Sequence, residues 1–355
     1  MKILEIIPDL RKRAGAEVFF SSLCKELSTH IDLEIVVVII WNLIDNSFKE
    51  LTTNPRIKFY CCGKEKPGLG FKSAKKLKKI ILSENPDVIH THRSVMLSYY
   101  LAFGFKKHKW KYFHTVHNIA SKEAGKYEII LRKKYVKKGI VQHVGISNIV
   151  SNSIKEIYKK EPVATIYNGI DLPSISSKQK KYDFICVARF SKQKNHMLLL
   201  QAFNEFIKKH KTANLLLVGE GELEESCKHY AHESAIDKNV FFYGASDNVF
   251  ELMSESKIFI LSSLYEGNPI SILESMALGL PIIAPSVGGI PDVISNHENG
   301  LLYEASNERQ LIDCMEKLYV DNQLYLKMSS ANIEKSKHFS MKKCAEEYIG
   351  LFKRK

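Results

Sequence analysis

With 355 residues, 45% hydrophobic and 26% charged, the chain is longer than one hydrophobic core usually serves and too apolar to be disordered. Its longest apolar run, 35–41, is seven residues, against the roughly 20 that a bilayer-crossing helix needs. The net charge of +13 is uneven: residues 1–172 hold 30 basic and 16 acidic groups, and residues 173–355 are close to neutral at −1.

The N-terminus leads directly into a strand-like run at 3–7 followed by Pro8 and Asp9, without the pattern of a signal peptide. Further strands are predicted at 33–40, 57–60, 88–90, 112–116 and 143–146, alternating with helical stretches as parallel β-α-β units do. The polar, aperiodic stretch 171–181 (DLPSISSKQKK) reads as a linker. The pattern then restarts with strands at 183–188, 214–218, 240–243, 258–261 and 281–284. The expected architecture is α/β, with two facing doubly wound parallel-sheet domains over 1–172 and 173–338. A C-terminal helix within 339–355 is expected to pack back on the first. Ligands of such sheets lie beyond the carboxyl ends of the strands.

Three basic clusters in the first half, 72–79, 106–111 and 132–138, are interleaved with Phe71, Leu77, Ile80, Ile81, Trp110, Tyr112 and Tyr135. Their confinement to one half predicts an anionic partner, and basic residues beside apolar ones suit an anionic membrane surface at least as well as nucleic acid. Peripheral attachment to the inner face of the membrane, on a cytoplasmic protein that binds no nucleic acid, is the expectation. The seven scattered cysteines, with no C-x-x-C pair, fit reduced thiols.

The segment 261–285 (LSSLYEGNPISILESMALGLPIIAP) carries the strongest chemical signal. A strand ends near Leu261, a loop holds Glu266, Gly267, Asn268 and Pro269, and a helix is predicted from Ile270 to Leu278 with Gly279 as its stop. The helix N-terminus suits a diphosphate. Gly267 permits close backbone approach, and Pro269 presets the first turn. Glu266 in the loop and Glu274 one turn into the helix are placed to accept hydrogen bonds from sugar and ribose hydroxyls. In the loop 187–196 (VARFSKQKNH), Arg189 and Lys194 supply two cations for a departing nucleoside diphosphate. The chain has no Asp-x-Asp, so a divalent ion held by paired aspartates is not expected.

Weaker signals compete with these. Gly219-Glu220-Gly221 follows a strand, but Glu224 stands where a dinucleotide fingerprint needs its third glycine. His90, His92, His114 and His117 lack acidic or Cys partners at metal-site spacing and read as polar cleft residues, with His92 on the acceptor side. Cys61-Cys62 reads as a strand end, and Gly288-Gly289-Ile290-Pro291 as a tight turn with a structural role.

The chain resembles the retaining glycosyltransferases of family 4, whose GT-B fold pairs two Rossmann-like domains. The likeness runs through Ala14-Gly15-Ala16-Glu17, Thr115-Val116-His117-Asn118, Gly145-Ile146-Ser147-Asn148, Tyr167-Asn168-Gly169-Ile170-Asp171, the Arg189/Lys194 loop, 218–223 (VGEGEL) and Glu266 to Glu274. The resemblance implies that Arg189 and Lys194 hold the donor diphosphate. It puts Glu266 beside the donor sugar, with backbone contacts from Gly267, Asn268, Pro269 and Ile270, and Glu274 on the ribose. Gly15 would let the first loop approach the diphosphate and sugar, and His117 would bond the donor sugar near the reacting centre. The family's Gly-Gly-x-Glu has Ala14 at its first glycine here.

The expected activity is metal-independent, cofactor-free transfer of a hexose or N-acetylhexosamine from a UDP-sugar. The acceptor would be a glycan, such as a lipid-linked oligosaccharide or a lipopolysaccharide or capsule precursor. Two carboxylates flanking the bond, as in glycoside hydrolysis, are not evident; the resemblance favours same-face attack assisted by the leaving phosphate. The alternatives are a nucleotide-sugar epimerase of the same fold and a basic nucleic-acid-binding protein, which leaves the 266–274 segment unexplained.

Overall fold

The computed structural model describes residues 1–11, 15–66, 69–172, 178–246 and 248–354. Ala14 and residues 173–177 of the expected linker lie outside them. The chain forms two compact units, Met1–Asp171 with Met341–Lys355, and Leu172–Ser340.

The first unit is built on seven parallel strands: β1 (Lys2–Ile7), β2 (Glu34–Trp41), β3 (Ile57–Lys64), β4 (Val88–His92), β5 (Lys111–Val116), β6 (Gln142–Gly145) and β7 (Ala164–Thr165). Their order is β3-β2-β1-β4-β5-β6-β7, so the winding reverses between β1 and β4. β1 and β2 (KILEII, EIVVVIIW) are buried along nearly their whole length, as parallel strands covered on both faces must be. One face packs Leu4, Ile6, Val36, Val38 and Ile89 with Leu77, Ile80 and Ile81 of the helix Phe71–Glu84. Against the sheet also lies the helix Met341–Lys353, whose Tyr348 and Phe352 rings sit 5.0 and 5.3 Å from the His90 ring. The Lys111 ammonium donates to the Phe352 carbonyl at 2.8 Å, and Lys353 pairs with Asp32 at 3.0 Å.

The second unit repeats the winding with β8 (Tyr182–Val187), β9 (Leu215–Val218), β10 (Val240–Gly244), β11 (Ser256–Ile260), β12 (Ile282–Pro285) and β13 (Gly300–Tyr303), in the order β10-β9-β8-β11-β12-β13. Each unit therefore has the Rossmann-like parallel sheet that the alternating runs predict. β7 and β13 are edge strands absent from the sequence reading. They have two and four residues, too few to show a period, and they exist by pairing with β6 and β12.

The structure corrects the reading of the basic clusters. Leu77, Ile80, Ile81, Trp110, Tyr112 and Tyr135 are all buried and belong to the core. Arg132 is wholly buried between Glu123 (3.0 Å) and Glu128 (2.9 Å), and Lys111 is tied to the C-terminal helix. What stays on the surface of the 71–84 helix is Lys72, Lys75, Lys76, Lys78 and Lys79, with Phe71, Leu82 and the preceding Leu69 as exposed apolar neighbours. Among the described residues, no helix is long and apolar enough to cross a membrane.

Candidate functional site

In the second unit, chemistry gathers in the loops beyond β8 and β11, the strands at which the winding reverses. The loop after β8 is clasped by the loop after β9: the Ala188 N–H donates to the Val218 carbonyl, Phe190 N–H to Glu220, and Leu223 N–H to Phe190. Gly219, at φ +143°, makes that clasp possible, because a Cβ there would stand 2.2 Å from the Ala188 carbonyl oxygen. The Gly-Glu-Gly sequence is thus a backbone contact supporting Arg189. The loop ends at Asn195 in the left-handed region (φ +49°) and enters the helix His196–Ile207. His196 stacks on Phe190 at 4.1 Å, and burial pulls its imidazole down to about 4, so it is a neutral packing residue at physiological pH.

The loop after β11 is stitched to the same segment. Ser262 Oγ donates to the Lys194 carbonyl (2.9 Å), Leu264 N–H to the Gln193 carbonyl (2.8 Å), and Gln193 Nε2 to the Tyr265 carbonyl (2.8 Å). These bonds bring together two residues separated by 72 positions: Lys194 Nζ donates to Glu266 Oε1 at 2.5 Å, and Ser263 Oγ donates to the same oxygen at 2.6 Å. Glu266 is buried, and Oε2 lies outside those two bonds. Its backbone is pinned by the Gly288-Gly289 turn. Gly288 sits at φ +55°, a Cβ on it would fall 1.8 Å from the Glu266 carbonyl oxygen, and Gly289 N–H donates to that oxygen at 3.3 Å.

Gly267, Asn268, Pro269 and Ile270, which follow Glu266 in the loop, are buried. Pro269 is the N-cap of the helix Ile270–Ala277 and offers no side-chain bond to its first turn. Glu274 is half-buried in that helix. Arg189 stands apart from the pair: it is 72% exposed and its acidic neighbour is Glu222 at 3.9 Å. Ser263 and Gly288 carry no chemical signature in the sequence; the Glu266 contacts identify them.

In the first unit, Gly15 opens the helix Gly15–Thr29. Glu17 in its first turn is buried and paired with Arg93, and Arg11 pairs with Asp9 at 2.9 Å. Burial raises the Glu17 carboxyl to about 7, opposed by the Arg93 charge. His117, half-buried just after β5, donates its backbone N–H to Glu123 Oε2 at 2.6 Å. Its Nε2 is 2.8 Å from His92 Nδ1, and burial lowers it to about 4.

The histidines do have acidic partners, contrary to the reading by spacing. Parallel pairing sets Glu5 of β1 beside His90 of β4, with the Glu5 carboxylate 3.0 Å from His90 Nδ1 and 3.0 Å from His92 Nε2. His114 Nε2 is 3.2 Å from Glu123. The ligand atoms of Glu5, His90 and His92 lie within 4.8 Å of one another, near enough for a metal, yet each already has a hydrogen-bond partner. Partners 85 residues apart in sequence could not be read from local spacing.

Two family models match consecutive parts of the chain: Glycosyltransferase Family 4 over residues 13–173 and Glycosyl transferases group 1 over residues 170–335. An N-acetyl-alpha-D-glucosaminyl L-malate synthase of Bacillus anthracis is 27% identical over 324 residues, covering 86% of this chain and 83% of that protein. A UDP-Gal:alpha-D-GlcNAc-diphosphoundecaprenol alpha-1,3-galactosyltransferase of Escherichia coli is 26% identical over 276 residues, 71% of each chain. The structure of Anabaena HepE in complex with UDP and glucose superposes with a TM-score of 0.83 at 18% identity over 99% of both chains, a likeness of fold.

Proposed function

Because this chain belongs to the family 4 and group 1 glycosyltransferases, we propose a donor, an acceptor and a stereochemical course for the transfer it performs. The donor is a UDP-sugar, a hexose or N-acetylhexosamine, and the transfer retains the anomeric configuration. The observation that carries this reading is the Lys194–Glu266 pair with Ser263, held by two stitched loops at the carboxyl ends of β8 and β11 and continuous with the 270–277 helix. Fixed positive charge and a helix N-terminus suit a diphosphate. A buried carboxylate with one oxygen outside its ion pair suits sugar hydroxyls.

In this scheme Lys194 and the more exposed Arg189 neutralise charge growing on the leaving diphosphate, so the step draws on no metal. Glu266 orients the sugar, Gly267 to Ile270 contribute backbone contacts, and Glu274 bonds the ribose. In the first unit Gly15 approaches the diphosphate, and His117 bonds a sugar hydroxyl. The acceptor attacks the face that the diphosphate leaves, and the phosphate takes the acceptor proton.

The acceptor is a lipid-linked glycan or a lipopolysaccharide or capsule precursor, bound by the first unit. The galactosyltransferase relative is named for a diphosphoundecaprenol acceptor. The exposed lysines of the 71–84 helix, beside Leu69, Phe71 and Leu82, would meet an anionic membrane surface. Purified protein incubated with a panel of UDP- and GDP-sugars, with and without a diphosphoprenyl-glycan acceptor, tests the reading. Acceptor-dependent consumption of a UDP-sugar is expected, with an α-linked product from an α-linked donor. Isomerisation of the donor alone would identify an epimerase instead. Sedimentation with anionic vesicles at low salt checks the membrane face; no co-sedimentation would remove it.

A further inference from the structure

Six side chains of the first unit make an unbroken line of hydrogen bonds through its buried sheet. The Tyr348 hydroxyl is 2.9 Å from Thr115 Oγ1, which is 2.8 Å from His90 Nε2. His90 Nδ1 is 3.0 Å from Glu5 Oε1 and 2.9 Å from Oε2. Glu5 Oε2 is in turn 3.0 Å from His92 Nε2, and His92 Nδ1 is 2.8 Å from His117 Nε2. All but His117 are fully buried. The line crosses the β1/β4 junction, where the winding reverses.

A neutral imidazole has one N–H and one lone pair, so each bond in the line dictates the next. An ionised Glu5 only accepts, which places hydrogens on His90 Nδ1 and His92 Nε2. His92 Nδ1 is then a lone pair and accepts from His117 Nε2–H. The remaining ring nitrogen, His117 Nδ1, is left as a lone pair. A proton on Glu5 Oε2 would reverse this branch and turn His117 Nδ1 into an N–H. Imidazolium forms do not intervene, because burial pulls His90 to about 3, His117 to about 4 and His92 well below the usual histidine range. Burial raises the Glu5 carboxyl, and the hydrogen bond and charge of His92 oppose that rise; the His117 tautomer reports which form of Glu5 is present.

We propose that Glu5, acting through His92, sets His117 to present an acceptor nitrogen, Nδ1, to a hydroxyl of the bound sugar. Glu5 and His92 are positioning residues; they touch no substrate. The proposal rests on the reading above only in placing His117 at the sugar, and the tautomers are a property of the free protein.

Long-range proton–nitrogen correlation spectra of full-length protein carrying ¹⁵N-histidine, assigned with single His→Gln variants, test it. The expected result at pH 7 is Nδ1–H at His90 and Nε2–H at both His92 and His117. In Glu5→Gln protein, a carboxamide offers one donor and one acceptor, so His90 or His92 must change tautomer. Adding the UDP-sugar that the protein turns over should shift the His117 Nδ1 resonance while the ring stays neutral. His117 found as Nδ1–H or as imidazolium would overturn the proposal, as would stoichiometric zinc bound in the purified protein. If Glu5→Gln does not fold, the wild-type spectra decide alone. A protein with the expected tautomers that transfers no sugar would refute the function and leave the relay standing.

Discussion

Where β1 meets β4 in the first unit, the sheet itself carries Glu5, His90 and His92, all fully buried. Where β8 meets β11 in the second, the same topological position is filled by Phe184, Ile185, Ile258 and Phe259, and ionisable groups wait in the loops beyond the strand ends. Burying a carboxylate among sheet residues is costly unless its bonds are complete, so the first unit can keep these groups only as a finished network. The second keeps an apolar core and places Lys194, Glu266 and Arg189 in loops, with Arg189 exposed and Lys194 partly so. Polar substitutions should accordingly act on stability in the first unit and on turnover in the second.

The largest effect is expected in the first unit. Arg132→Ala would leave Glu123 and Glu128 without their buried cation, at about 3–5 kcal/mol of stability measured by denaturant unfolding. A loss below about 1 kcal/mol would break the contrast, because the network would then tolerate a missing member.

Next comes the Arg189/Lys194 loop. Lys194→Ala is expected to lower sugar transfer by about 10²- to 10³-fold with every nucleotide-sugar the protein accepts. Arg189→Ala, at an exposed position, should slow transfer without moving the unfolding midpoint. Near-normal rates from both variants would refute the assignment of the diphosphate to this loop.

A pH dependence of similar size belongs to Glu17. Its carboxyl is raised from 4.5 to about 7, chiefly by burial, so the folded chain holds a proton that the unfolded chain has released. Its contribution therefore falls as pH rises from about 4.5 to about 7, by about 3 kcal/mol. The wild-type minus Glu17→Gln difference in unfolding free energy should show that slope; a flat difference would exclude it.

The smallest effect sharpens the comparison from the second unit. Gly288→Ala forces a Cβ against the Glu266 carbonyl at a positive φ, costing about 1–3 kcal/mol. Transfer should fall with it, since the shift displaces Glu266. A variant that loses stability while keeping its rate would separate the turn from the site.

Lys194 and Glu266 were legible because each lies in a short run whose neighbours have physical reasons to be there: Gly267, Pro269 and a helix start after one, a strand end before the other. The basic clusters were legible only in part, because charge counting does not reveal that Arg132 turns inward while Lys72 and Lys75 stay in water. The histidines misled for a related reason. Their partner Glu5 sits in an apolar run that reads as plain strand.

The sequence by itself determined two parallel α/β sheets, because alternating apolar runs and helical stretches admit few other packings. It also singled out the 261–285 segment and the Arg189/Lys194 loop as candidates, because a helix start and its loop are local. Tertiary structure alone decided which distant groups meet: Lys194 with Glu266, Gly288 with the Glu266 backbone, Glu5 with His90 and His92. Strand pairing and loop crossing create those contacts, and neither leaves a trace in the spacing of residues along the chain.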